Sequence, residues 1–117
     1  MDIVEFDDKL KKSLEDFKTY DEAIAFLRRK LDSISAELVR LSVERTVVIR
    51  NVGKVKKKFA VPVYAKAREQ EILKNIDNLV AKENESLKRL GLSFDADIVK
   101  KFLKDLMDYS KKVEEKQ

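Results

Sequence analysis

The 117-residue sequence contains neither cysteine nor histidine. Their absence removes thiol and imidazole nucleophiles, imidazole general bases, disulfides and the usual zinc and copper ligand sets. A carboxylate-only site for magnesium or calcium would need an Asp-rich loop with ligand spacing, and the sequence has none. There are two glycines and one proline. Turn-rich all-β folds are thereby nearly excluded, because each hairpin needs its own left-handed or φ-locked residues. No apolar run approaches the ~20 residues that span a bilayer, and the acidic start Met1-Asp2-Ile3-Val4-Glu5 lacks the apolar centre of a signal peptide. A cytoplasmic protein with no membrane partner is expected. The length suits one domain, and no fused second one is expected.

What the chain does have is charge and helical periodicity. Charged residues make up 41% and hydrophobic ones 44%, a globular rather than a disordered composition. Lys and Arg number 26 against 22 Asp and Glu, a net charge of +4 that favours anions, whether small metabolites or nucleic acid. Phe17, Tyr20, Ile24, Leu27, Leu31, Ile34, Leu38 and Leu41 follow one another at alternating steps of three and four, a helical stripe. Its continuation lands on Arg45 and then Val48, so a cation occupies a seam position. Thr19 and Glu22 read as a capping box that starts this long helix. Val4, Phe6, Leu10, Leu14 and Phe17 form either a shorter preceding helix or an extension of the long one.

A hairpin around Asn51-Val52-Gly53-Lys54 is the competing local reading, since Thr46 to Ile49 favour strand. Its second strand would carry Lys56-Lys57-Lys58, so helix is preferred, with Gly53 costing roughly 1 kcal/mol relative to Ala. The helix then runs to about Lys58, near ~60 Å at ~1.5 Å per residue. A rod of that length cannot be covered by one small chain, so a partner chain is implied. The link Phe59 to Tyr64 is expected to be extended, because Pro62 pushes Val61 out of the α region. A second helix is expected from about Lys66 to Arg89, with Ile72, Leu73, Ile76, Leu79, Val80, Leu87 and Leu90 inward and Gly91 as C-cap. Ser93 or Asp95 caps a third helix over about 96–115, with Val99, Phe102, Leu103, Leu106, Met107 and Val113 inward. The expected fold is all-α: a three-helix chain with one very long helix, in an intertwined homodimer, with residues 1–18 as a helical N-terminal extension to a domain of residues 19–117.

Geometry narrows the candidate site. Arg45 and Lys56 share a face about three turns, ~16 Å, apart, so their arms can converge on a small anion between them. Arg28 lies ~25 Å of axial rise from Arg45 and cannot reach that anion from its own chain, though it could from a second chain packed antiparallel. Most single surface cations are only solvated. Arg45 differs, because an unpaired buried guanidinium is costly and calls for an anion or an acidic partner. Arg68-Glu69 opens the second helix, and Ser110 and Glu114 share a face of the third at i, i+4.

The runs Leu27-Arg28-Arg29-Lys30-Leu31-Asp32 and Leu38-Val39-Arg40-Leu41-Ser42-Val43-Glu44-Arg45 resemble the opening motifs of the all-helical AroQ class of chorismate mutase. Val52-Gly53-Lys54-Val55-Lys56 is similar to its ending of the long helix. Val61-Pro62-Val63-Tyr64-Ala65-Lys66-Ala67-Arg68-Glu69-Gln70-Glu71-Ile72-Leu73 is similar to its link and second-helix start. The resemblance implies that Arg28 from the partner subunit and Arg45 from the site's own chain each bind a substrate carboxylate. Lys56 would contact the ether oxygen and a carboxylate, Arg68 would support the site's electrostatics, Glu69 would hold the substrate hydroxyl and Ser110 would touch a carboxylate.

Lys56, Arg45 and Glu114 are thus implied as the catalytic set, with no cofactor and no metal, and with chorismate as the small-molecule partner in a homodimer with shared sites. Ala65 stands where the family usually has Asp, so that contact falls to backbone N–H. Glu114 stands where most members carry Gln, and a carboxylate donates a hydrogen bond only when protonated. Gln117, one seven-residue step beyond Ser110, is the other candidate for that place.

The implied reaction, chorismate to prephenate, is pericyclic and needs no nucleophile. A rate gain of about 10⁶ asks for ~8 kcal/mol, within reach of conformer selection and placed cations. Two other readings stand beside it. One is an isochorismate-pyruvate lyase on the same scaffold. The other is a non-enzymatic helical dimer or nucleic-acid-binding module using Lys54, Lys56, Lys57 and Lys58, although these lack the interleaved aromatics of a stacking surface.

Overall fold

A computed structural model describes residues 1–117. The chain is all-helical: α1 (Ile3–Leu14), α2 (Tyr20–Lys58), α3 (Lys66–Leu87) and α4 (Ala96–Glu115), with a single 3₁₀ turn, Lys88–Leu90, closing α3. The overall shape is a rod, 62 × 26 × 21 Å. No helix is long and apolar enough to cross a membrane.

Helices α1, α2 and α4 each begin where a side chain satisfies one of the first free N–H groups. Asp2 accepts from Glu5 N at 2.9 Å for α1, and Thr19 accepts from Glu22 N at 3.2 Å for α2. Asp95, not Ser93, caps α4, accepting from Asp97 N at 2.9 Å. Glu15 to Thr19 break the chain between α1 and α2, so α1 is a separate helix and the chain has four helices rather than three. Across this break the rings of Phe17 and Phe26 stack at 5.4 Å, and α1 folds back onto α3. The 39 residues of α2 run unbroken through Gly53, as periodicity requires, and the hairpin reading is set aside.

The corners after α2 and after α3 use left-handed residues. Gly91, at φ 71°, ends α3, with Leu92 N donating to Leu87 O at 3.1 Å. Asn84 then clamps the following turn. Its amide donates to Phe94 O at 3.0 Å, and its carbonyl accepts from Phe94 N at 2.8 Å. After α2 the chain turns through Ala60 at φ 54°, with Val61 N donating to Lys56 O at 2.8 Å. The link is therefore not extended from Phe59. It folds tightly first, because the last carbonyls of α2 need donors, and it bends again at Val63.

α4 lies along the C-terminal half of α2 and along α3. Very little is buried: Gly53, Met107, Ser110 and Glu114. From Leu31 to Arg40 every residue of α2 is exposed, the stripe residues Leu31, Ile34 and Leu38 included. Leu79 and Phe102, expected inward, are 60% and 48% exposed. Leu79 borders a shallow apolar cleft with Ile3, Phe94 and Val99, which leaves most of its side chain uncovered.

Candidate active site

The site forms where α4 crosses the second half of α2 near the start of α3. Gly53 makes the crossing possible. A Cβ there would stand 2.9 Å from Glu114 Cα and 3.1 Å from the Glu114 carbonyl oxygen, both backbone atoms. The glycine that weakens an isolated helix is what lets two helix backbones meet here. Glu114 consequently rests against Gly53, and Lys56, one turn further along α2, reaches its carboxylate.

A cavity of about 440 Å³ opens at this junction. Arg45 and Lys56 reach it from α2, Ala65 from the link, Arg68 and Glu69 from α3, and Ser110 and Glu114 from α4. Val48, Ile49, Val52, Ile72, Leu103 and Met107 supply the apolar wall. Seven of the eight residues expected from sequence thus share one cavity. Arg28 does not; it is exposed on the uncovered half of α2.

Arg45 donates to Ser110 Oγ at 2.6 Å, and Ser110 in turn donates to Leu106 O at 2.7 Å, which fixes the hydroxyl. Burial pushes the Arg45 guanidinium below its ordinary range, and the Glu114 charge acts against that shift. Arg45 remains a cation at any working pH, held at an electrostatic cost that a bound anion would offset. Lys56 donates to Val63 O at 2.8 Å, tying the link to α2. Its Nζ also lies 2.7 Å from Glu114 Oε1. That contact is ionic but not aligned as a hydrogen bond, and Oε1 is buried with no donor directed at it.

Glu114, not Gln117, is the α4 residue presented to Lys56. Gln117 turns back to its own helix, donating to Val113 O at 2.9 Å. Arg68 stands at the rim and pairs with Glu71 of its own helix, so it does not point at the cations opposite. Ala65 is the N-cap of α3 without a side-chain cap, which leaves the first N–H groups of that helix without a side-chain acceptor. Lys111 also lines the cavity and was not singled out from sequence. The signal was present: Lys111 lies three residues before Glu114, on the same face of α4.

Four cations of the chain, Arg45, Lys56, Arg68 and Lys111, and an uncapped helix start thus surround a small, half-apolar cavity, suited to a compact organic anion. Comparison with known proteins agrees. The chorismate mutase type II family matches residues 27–115. The chain belongs to this family. The T-protein of Haemophilus influenzae is 33% identical over 89 residues, 74% of this chain and 22% of that protein. The bifunctional chorismate mutase/prephenate dehydratase of Aquifex aeolicus is 34% identical over 55 residues, 47% of this chain and 15% of that protein. The chain therefore spans less than a quarter of the length of these curated relatives. No solved structure matches it. All seven cavity residues fall within the span of this type II chorismate mutase match, and α1 lies before it.

Proposed function

We propose that the protein is a chorismate mutase, rearranging chorismate to prephenate without a cofactor. The observation that carries this reading is the convergence of Arg45, Lys56, Ala65, Arg68, Glu69, Ser110 and Glu114 on one cavity in a chain of this family. Arg45 and Ser110 would hold one substrate carboxylate. Lys56 would face the ether oxygen, where negative charge develops as the C–O bond breaks. Glu69 would accept a hydrogen bond from the substrate hydroxyl, and the amides near Ala65 would stand in for the missing Asp side chain. The apolar wall would press the substrate into the folded conformer from which the new carbon–carbon bond forms. Protonated Glu114 would donate to the ether oxygen from beside Lys56, whose Nζ lies 2.7 Å from Oε1. Residues 19–117 would make up the catalytic unit and residues 1–18 an added helical segment.

The same reading makes the protein a homodimer with shared sites. Its support is the uncovered stripe of α2 and the distance of Arg28 from the cavity. A second chain lying antiparallel along α2 would cover the stripe and bring its Arg28 to the other carboxylate.

The test is loss of chorismate absorbance on adding purified protein, run beside isochorismate to separate mutase from lyase. Arg28→Ala and Arg45→Ala chains, each inactive alone, should regain activity when mixed and allowed to exchange, because one heterodimer site is then intact. Failure after verified exchange would sink the shared site.

A further inference from the structure

The cavity holds a cation to which the proposed chemistry gives no task. Lys111 reaches from α4 to the two elements opposite. Its Nζ stands 4.4 Å from the centroid of the Tyr64 ring, on the link, and 3.5 Å from Glu69 Oε2, on α3. Asp108 Oδ1, on its own helix, lies farther away at 3.7 Å. The Glu69 side chain is 20% exposed and that of Asp108 58%, so solvent screens the second pair more than the first.

Glu69 needs such a partner. It stands in the first turn of α3, where the free N–H groups and the helix dipole draw a carboxylate back along its own helix. Arg68, the cation next to it in sequence, is engaged with Glu71. Lys111 pulls from across the cavity. It cannot follow Glu69 outward, because the Tyr64 ring seats its ammonium within the ~6 Å reach of a cation–π contact.

We propose that Lys111 is a positioning residue, holding the Glu69 carboxylate toward the cavity while its seat on Tyr64 fastens the link to α4. This rests on the mutase reading, in which Glu69 receives the substrate hydroxyl. Lys111 acts through Glu69 and does not touch the reacting atoms. The pair is partly exposed and gains strength when a bound substrate displaces water, so its effect on the rate is moderate.

A double-mutant cycle on the full chain, assayed with chorismate, tests this. Lys111→Met should lower kcat/KM about three- to ten-fold, and Lys111→Arg should keep most of the activity. In a Glu69→Gln background, which retains a hydrogen-bond acceptor, Lys111→Met should cost nothing more. Tyr64→Leu should give a smaller loss that likewise vanishes once Glu69 is Gln, which provides a second route if Lys111→Met folds poorly. Equal losses in both backgrounds, or no loss in the first, would overturn the proposal while leaving the mutase reading intact. A wild-type chain inactive on chorismate would remove both.

Discussion

From Leu31 to Arg40 every residue of α2 is exposed; from Arg45 to Lys56 the same helix lies under α4 and lines a cavity. The apolar repeat runs through both stretches at one spacing. The first stretch has ion pairs along its own surface, where Arg40 pairs with Glu37 at 2.7 Å and with Glu44 at 2.6 Å. Such pairs are worth a few tenths of a kcal/mol each and do not replace a packed face. Periodicity thus reports which side of a helix is apolar and is silent on what covers it. In the proposed dimer the uncovered stretch belongs to the interface and the covered one to the site.

The largest expected effect lies in the covered stretch. Lys56→Ala should lower kcat/KM by about 10³ or more, the scale of losing a charged group aimed at a developing oxyanion, with helicity by circular dichroism unchanged. Near-wild-type turnover would remove Lys56 from the catalytic set. In the uncovered stretch, Leu38→Glu should shift the protein from dimer to monomer in analytical ultracentrifugation. Each chain would lose the roughly 1.5–3 kcal/mol that burying such a side chain supplies. An unchanged sedimentation profile would make that stretch ordinary surface. Gly53→Ala should lower stability to denaturant by about 1–3 kcal/mol, despite alanine's better helix propensity, because α4 must move away. A gain in stability would show that the crossing yields easily.

The smallest effect sharpens the site itself. Glu114→Gln keeps a hydrogen-bond donor at that place and should retain kcat/KM, while Glu114→Leu, which has none, should lower it several-fold. If the two variants are equally slow, Glu114 is not the donor.

Most of the architecture was legible in the sequence. Thr19, Gly91 and Asp95 carry their meaning locally, as caps, and the α2 stripe is long enough to override the strand preference of Val47 to Ile49. The site's membership was legible through the family resemblance together with the shared face of Arg45 and Lys56. Less legible were features set by tertiary approach. Gly53 reads as a weak point until a second backbone is laid against it. Ala60 carries no glycine signal for its left-handed turn, and Lys111 is one lysine among many until Tyr64 and Glu69 are brought around it. Leu79 and Phe102 read as core, yet the chain alone does not enclose them.

The Asn84 clamp has a consequence for the order of folding. It joins residues ten apart, whereas the Arg45–Ser110 bond joins residues 65 apart. Closing the shorter loop sacrifices less chain entropy, so α3 and α4 should form a hairpin before α2 docks onto them. The cavity, which needs all three, would then be the last part of the monomer to close. Asn84→Ala should accordingly slow refolding in stopped-flow experiments, while Ser110→Ala should mainly hasten unfolding. The opposite pattern would mean that α2 gathers α4 first and the hairpin turn follows.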